Sequence, residues 1–114
     1  IKSIITQPEP EAALPAGEVT ILGAAYAGEA DIEKVEVSTD VGESWQTATF
    51  IGPHEPYAWR QWQYVWQIDR PGSYRILSRA TDSNGEKQPM QASWNKLGYN
   101  NNGVEEHGVS VQIS

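Results

Sequence analysis

The chain has 114 residues, with 8 Lys+Arg against 15 Asp+Glu and no cysteine. That is one domain's length, long enough to bury a real hydrophobic core, and the lack of Cys excludes disulfide stapling and thiolate metal ligation. A net charge of -7 argues against nucleic acid and anionic membranes, which attract basic surfaces.

No stretch approaches the apolar length of a membrane-spanning helix, and no basic-then-apolar leader opens the chain. The start at Ile1-Lys2-Ser3, without Met, reads as a mature form or a piece of something longer. The aromatic content is unusual, 5 Trp and 5 Tyr against 1 Phe. Trp and Tyr are amphipathic and favoured where a surface is half-buried or meets a partner.

Residues 1–18, with Pro8, Pro10, Pro15 and Gly17, read as an extended lead-in or linker with a short edge strand at Ile4–Gln7. The domain proper is expected over 19–114. Val19–Tyr26 is apolar on both faces, as in a central strand. Asp31–Thr39 puts Val35 and Val37 on one face and Lys34, Glu36 and Ser38 on the other. Asp40-Val41-Gly42-Glu43 is a turn, Trp45–Phe50 the next strand, and Gly52-Pro53-His54-Glu55-Pro56 a break.

The clearest pattern is Arg60–Ile68. Trp62, Tyr64, Trp66 and Ile68 share one parity, and Gln61, Gln63, Val65 and Gln67 share the other, a period of two. Arg70-Pro71-Gly72 turns the chain into a strand over Ser73–Asp82. There Tyr74, Ile76 and Ala80 oppose Arg75 and Arg79. After a turn at Asp82-Ser83-Asn84-Gly85 and a long connection over 86–106, His107–Ile113 closes the chain with Val109, Val111 and Ile113 inward. Short strands at this spacing, with no amphipathic helix, predict an all-β, immunoglobulin-like antiparallel β-sandwich of about seven strands with one long ordered loop.

Few residues carry catalytic chemistry. His54 and His107 lie far apart in sequence, and isolated surface histidines are commoner than a metal pair. Asp82-x-Asn84-Gly85-Glu86 resembles part of a calcium loop, but a tight turn wants the same residues. No nucleophile elbow, phosphate loop or dinucleotide fingerprint occurs. No catalytic, cofactor-binding or metal residue is therefore assigned. Tyr57, Trp59 and Arg60 are interface candidates, since they precede the strand whose Trp62 and Trp66 read as core. A connection as long as 86–106 is usually functional or disordered. With Met90, Trp94, Leu97 and Tyr99 it has apolar groups to pack. An ordered loop over 88–103 anchored by Trp94 is expected.

These motifs in order resemble the end of the sulfite oxidase family of molybdenum enzymes. The hairpin carries Glu36, Ser38, Asp40, Gly42 and Trp45, and the run YAWRQWQYVW follows at 57–66. Arg79-Ala80-Thr81-Asp82, Gln88-Pro89, Trp94-Asn95 and Gly98 then come in register. The resemblance covers essentially the whole chain. It implies the C-terminal dimerisation domain of such an enzyme, an immunoglobulin-like sandwich acting as a homodimer with its own catalytic domain. It also implies that the molybdopterin–molybdenum cofactor lies in a separate, larger domain and not here. The parent would be a bacterial, exported (periplasmic) sulfite oxidase or dehydrogenase passing electrons to a haem or cytochrome acceptor. In animal sulfite oxidases the loop reads Trp-Asn-x-Arg-Gly, and its Arg helps line the anionic substrate pocket. Leu97 stands at that place here, next to Lys96. Asn95 and Lys96 are therefore candidates for the pocket rim, with Lys96 able to replace the lost charge. A protein-bound sulfur substrate, or one unrelated to sulfite, stays open. The alternative is a free-standing immunoglobulin-like module binding carbohydrate or protein through Tyr57, Trp59 and Trp62.

Overall fold

The computed structural model describes residues 1–28, 30–53, 58–90, 104 and 107–114. Nine strands run through them: β1 (Lys2–Gln7), β2 (Ala12–Leu14), β3 (Gly17–Tyr26), β4 (Ile32–Ser38), β5 (Gln46–Thr47), β6 (Thr49–Phe50), β7 (Arg60–Ile68), β8 (Gly72–Asp82) and β9 (Val109–Ile113). They form a four-stranded sheet, β1-β3-β7-β6, and a five-stranded sheet, β2-β9-β8-β4-β5. All pairings are antiparallel except β2 with β9, which is parallel. No α-helix occurs among the described residues, and none of their helices is long and apolar enough to cross a membrane. The all-β sandwich expected from strand spacing is the architecture found.

The period-two pattern of β7 sorts as expected. Trp62, Trp66 and Ile68 are buried, with Tyr64 partly so, while Gln61, Val65 and Gln67 face solvent. Against them pack Ile21 and Ala25 of β3, Val35 and Val37 of β4, Ile76 and Ala80 of β8, and Val109, Val111 and Ile113 of β9. Trp66 meets Tyr74 edge-on at 5.1 Å between ring centroids. Gly23 sits opposite Trp62 in the β3–β7 ladder. A Cβ there would fall inside the indole and onto the carbonyl oxygen of Ile4, so the missing side chain is the space that Trp62 fills. One polar bond crosses this apolar core: the hydroxyls of Ser3 and Ser78, both buried, lie 2.8 Å apart between the two sheets.

The sequence reading differs from the structure in four places. The lead-in over 1–18 contributes β1 to one sheet and β2 to the other, crossing through the cis Gln7–Pro8 bond. The single strand expected over Trp45–Phe50 is two short ones in different sheets. Ala48, buried between them, donates its N–H to the carbonyl of Val35 at 2.8 Å, and the chain switches sheets at this small residue. β3 is central, between β1 and β7, but its outward Leu22 and Ala24 are only half-buried. Finally, Leu77 is fully buried on the same side of β8 as Arg75 and Arg79, a side expected to be polar.

Candidate functional site

The hairpin between β4 and β5 shows why its residues are polar and small. Ser38 Oγ donates to Asp40 Oδ1 at 2.7 Å and accepts from the Gly42 N–H at 2.8 Å. Asp40 Oδ1 also accepts from the Ser44 N–H at 2.9 Å, and the Ser44 hydroxyl donates to Oδ2. The hydroxyl bonds from Ser44 and Ser38, reinforced by the Ser44 N–H, hold the Asp40 carboxyl at about 2, below its ordinary 3.8. The tight path needs positive φ at Val41 (60°) and Gly42 (87°). Glycine adopts this freely, whereas a β-branched residue is held there only by the bonds around it.

This hairpin delivers Trp45 to the outer side of the five-stranded sheet. The Arg79 guanidinium lies 4.2 Å over the Trp45 ring and bonds Glu36 Oε1 at 3.0 Å. Lys34 approaches the same carboxylate at 3.8 Å. Arg75 Nη1 donates to Ser110 Oγ at 3.0 Å. Beneath this charged layer, Leu77 fills the room left by Gly108, whose added Cβ would lie 2.7 Å from Leu77 Cδ2.

The next motif pins the ends of the long connection. Asp82 Oδ1 accepts from the N–H groups of Asn84 and Glu86, each at 2.9 Å, so the faint calcium-loop pattern is a turn closed by its own aspartate. Gln88, 2% exposed, donates its N–H to the Ala80 carbonyl at 2.9 Å and accepts from the Ala80 N–H through Oε1 at 3.3 Å. At the far end Val104 is 1% exposed, and its N–H reaches the Pro89 carbonyl at 2.8 Å. The near stem is thus locked to β8, and the far stem to the near one. Trp94, Asn95, Lys96 and Leu97 lie outside the described residues, as do Tyr57 and His54.

Of the interface candidates, Trp59 is 46% exposed and stacks on Tyr26 with centroids 5.5 Å apart, at one end of the four-stranded sheet's outer face. Arg60 is turned the other way, its guanidinium 4.6 Å over the Phe50 ring. Trp62 is fully buried, so it cannot belong to an exposed stacking platform with Tyr57 and Trp59. The outer face itself, formed by Ile4, Leu22, Ala24, Gln63 and Val65, was not singled out in the sequence. Its signal was Val65, the one apolar residue among the glutamines of β7.

The chain has no cysteine, and among the described residues no three His, Asp or Glu stand close enough to hold an ion. Fold and surfaces together define a two-sheet β-sandwich with Gln88 and Val104 buried at the ends of its long connection and one weakly charged outer sheet face. The family model that matches is the Mo-co oxidoreductase dimerisation domain, over residues 1–113, and the chain belongs to that family. It is 36% identical to the mitochondrial sulfite oxidase of Mus musculus, over 99% of this chain and 22% of that one. With sulfite oxidase of Gallus gallus the identity is 33%, over 86% of this chain and 23% of that one. With the inducible NADH nitrate reductase 2 of Glycine max it is 35%, over 90% and 13%. The chain thus spans less than a quarter of the curated relatives named here. Among solved structures, the sulfane dehydrogenase SoxCD of Paracoccus pantotrophus superposes with a TM-score of 0.74 at 28% identity, covering 99% of this chain and 32% of that one. A fibronectin(III)-like module of Clostridium thermocellum CbhA gives 0.62 at 15% identity, over 97% and 93%, a likeness of fold alone.

Proposed function

We propose that this chain is the dimer-forming domain of a sulfite-oxidase-type molybdenum oxidoreductase, and that its long connection also reaches the substrate pocket of the catalytic domain. The chain takes no part in the redox chemistry. The cofactor belongs to the catalytic domain, and electrons leave that domain for a haem or cytochrome acceptor. The parent is an exported, periplasmic enzyme, a reading that rests on the family resemblance.

The observation that supports the pocket role is that Gln88 is locked onto β8 and Val104 onto Pro89 beside it, so both ends of the connection are held. A loop held at both ends can offer a charge at a fixed place. Lys96 is the only Lys or Arg after Lys87 in a chain of net charge -7. With Leu97 at the family's arginine position, its ammonium is the nearby cation left to attract an oxyanion, a compact point charge on a flexible stem.

Steady-state kinetics of Lys96→Ala in the whole enzyme test this. Loss of the steering charge lowers kcat/KM for the anionic substrate roughly tenfold and flattens its dependence on ionic strength. Kinetics unchanged at every ionic strength would reduce Lys96 to an ordinary surface lysine. Periplasmic and cytoplasmic fractions of the source cell test the localisation.

A further inference from the structure

The four-stranded sheet has one stretch of open edge. β1 runs beside β3 only from Lys2, opposite Tyr26, to Gln7, opposite Leu22. β3 itself begins earlier, at Gly17. Over 17–21 it has β7 on one side and, among the described residues, no strand on the other. In an antiparallel pair alternate residues turn their N–H and C=O away from the partner strand. The groups turned away from β7 along this stretch therefore have no ladder to join, and no turn or loop backbone bond among the described residues reaches them. After Gln7 the chain leaves this sheet and crosses to β2, which pairs with β9 in the other. Beyond the end of β1 the crossing leaves a slot of about 410 Å³. Ala12, Leu14 and Val19 form its apolar wall, each half-buried against the core, and Glu9 and Thr20 stand exposed at its rim.

Independently of the dimer reading, we infer that this slot binds an extended, basic peptide segment of a separate protein, which adds as a short strand beside residues 17–21. The free backbone groups of β3 supply the pairing, and the slot supplies the side-chain pocket. Side chains of an added strand alternate in register with those of its neighbour. Val19 and Ile21 face the core, so residues opposite them point into the slot, where Ala12 and Leu14 leave room for a small apolar group. Residues opposite Glu18 and Thr20 stay on the outer face, and a cation there meets the Glu18 carboxylate across the strands. Charge selects the occupant. Glu9 lines the slot, Glu11 follows it and Glu18 flanks it, all three exposed. Among the described residues the Glu9 and Glu11 carboxylates meet no cation, and no lining residue is Lys or Arg. Arg70, in the turn after β7, has Asp69 beside it, and Lys2 stands at the far end of β1. A two-fold copy of the chain is the wrong occupant, because it would set these carboxylates against themselves. The parent's own catalytic domain is separated from a foreign segment by the experiment, which keeps that domain in place.

The test titrates the whole enzyme into a dye-labelled peptide, Val-Lys-Val-Lys-Val with blocked ends, and follows fluorescence anisotropy. The peptide binds with a dissociation constant of roughly 0.1–1 mM, the range that a few backbone bonds and one or two buried side chains support. The acidic counterpart, Val-Glu-Val-Glu-Val, binds at least about tenfold more weakly. Methylating alternate backbone nitrogens distinguishes strand pairing from charge alone: one alternation abolishes binding and the other spares it. Ala12→Leu, which fills the slot, weakens binding at least about tenfold. Glu9→Lys, at an exposed position that leaves folding alone, weakens it about threefold to fivefold. Glu43→Lys, on the hairpin at the opposite edge of the other sheet, leaves it unchanged, with circular dichroism as the check on folding. Basic and acidic peptides that bind alike overturn the charge selection, and two methylation patterns that bind alike overturn the strand pairing. Binding that ignores both Ala12→Leu and Glu9→Lys overturns the slot as the site. A whole enzyme that binds no peptide overturns the inference, including where its own catalytic domain fills the slot, and leaves the dimer reading standing.

Discussion

Replacing Gly23 by alanine probes the tightest place in the core. The added methyl overlaps the Trp62 indole and the Ile4 carbonyl, one a packed ring and the other backbone. Neither can swing aside as a flexible chain end would. Overpacking of this kind costs about 1–3 kcal/mol, and two rigid neighbours put Gly23→Ala near the upper figure. Alanine also restricts the unfolded chain and returns about 0.5–1 kcal/mol. The net loss is about 2 kcal/mol. With an unfolding entropy of about 0.24 kcal/mol/K for a chain of this length, the melting temperature falls by about 8 °C. Urea and thermal unfolding followed by circular dichroism measure it. The attribution to Trp62 is tested in a cycle: in a Trp62→Phe background the same methyl costs at least about 1 kcal/mol less, because the smaller ring vacates part of the space. A Gly23→Ala protein as stable as wild type refutes the packing argument, and strictly additive costs refute the role of Trp62.

Ser78→Ala leaves the Ser3 hydroxyl buried without its 2.8 Å partner and costs about 1–3 kcal/mol, while the double replacement by alanine costs less than the sum of the two, as denaturant unfolding of all four proteins will show. Asp40 has a folded pKa of about 2, below the 3.8 of a free aspartate, so its contribution to stability is complete above about pH 4 and is lost as pH falls toward 2. Asp40→Asn is accordingly less stable than wild type at pH 7, and the gap closes between pH 4 and 2; a gap constant over that range removes the carboxylate from the account.

The sandwich was legible in the sequence because period-two alternation over Arg60–Ile68 and Val109–Ile113 has only one physical reading, a strand with one face in a core. The domain family was legible because its motifs are polar and spaced: Ser38, Asp40 and Gly42 close a turn, and Asp82 closes another, through bonds that span only two to four residues. Local geometry of that range is written in neighbouring residues. The sheet switch at Ala48 was not, because it depends on two partners, β4 and β7, that lie on either side of it in sequence and in different sheets. The burial of Leu77 between two arginines was likewise not legible, because it depends on the fold laying Gly108 against it. Sequence named Trp62 as core by its parity along β7, and Trp59 as partly exposed because it precedes that strand. Which stretch of sheet edge stays open was decided only by tertiary structure. Ala12, Leu14 and Val19 come from two strands in different sheets, and the slot they share exists only once hydrogen-bond register has ended β1 opposite Leu22.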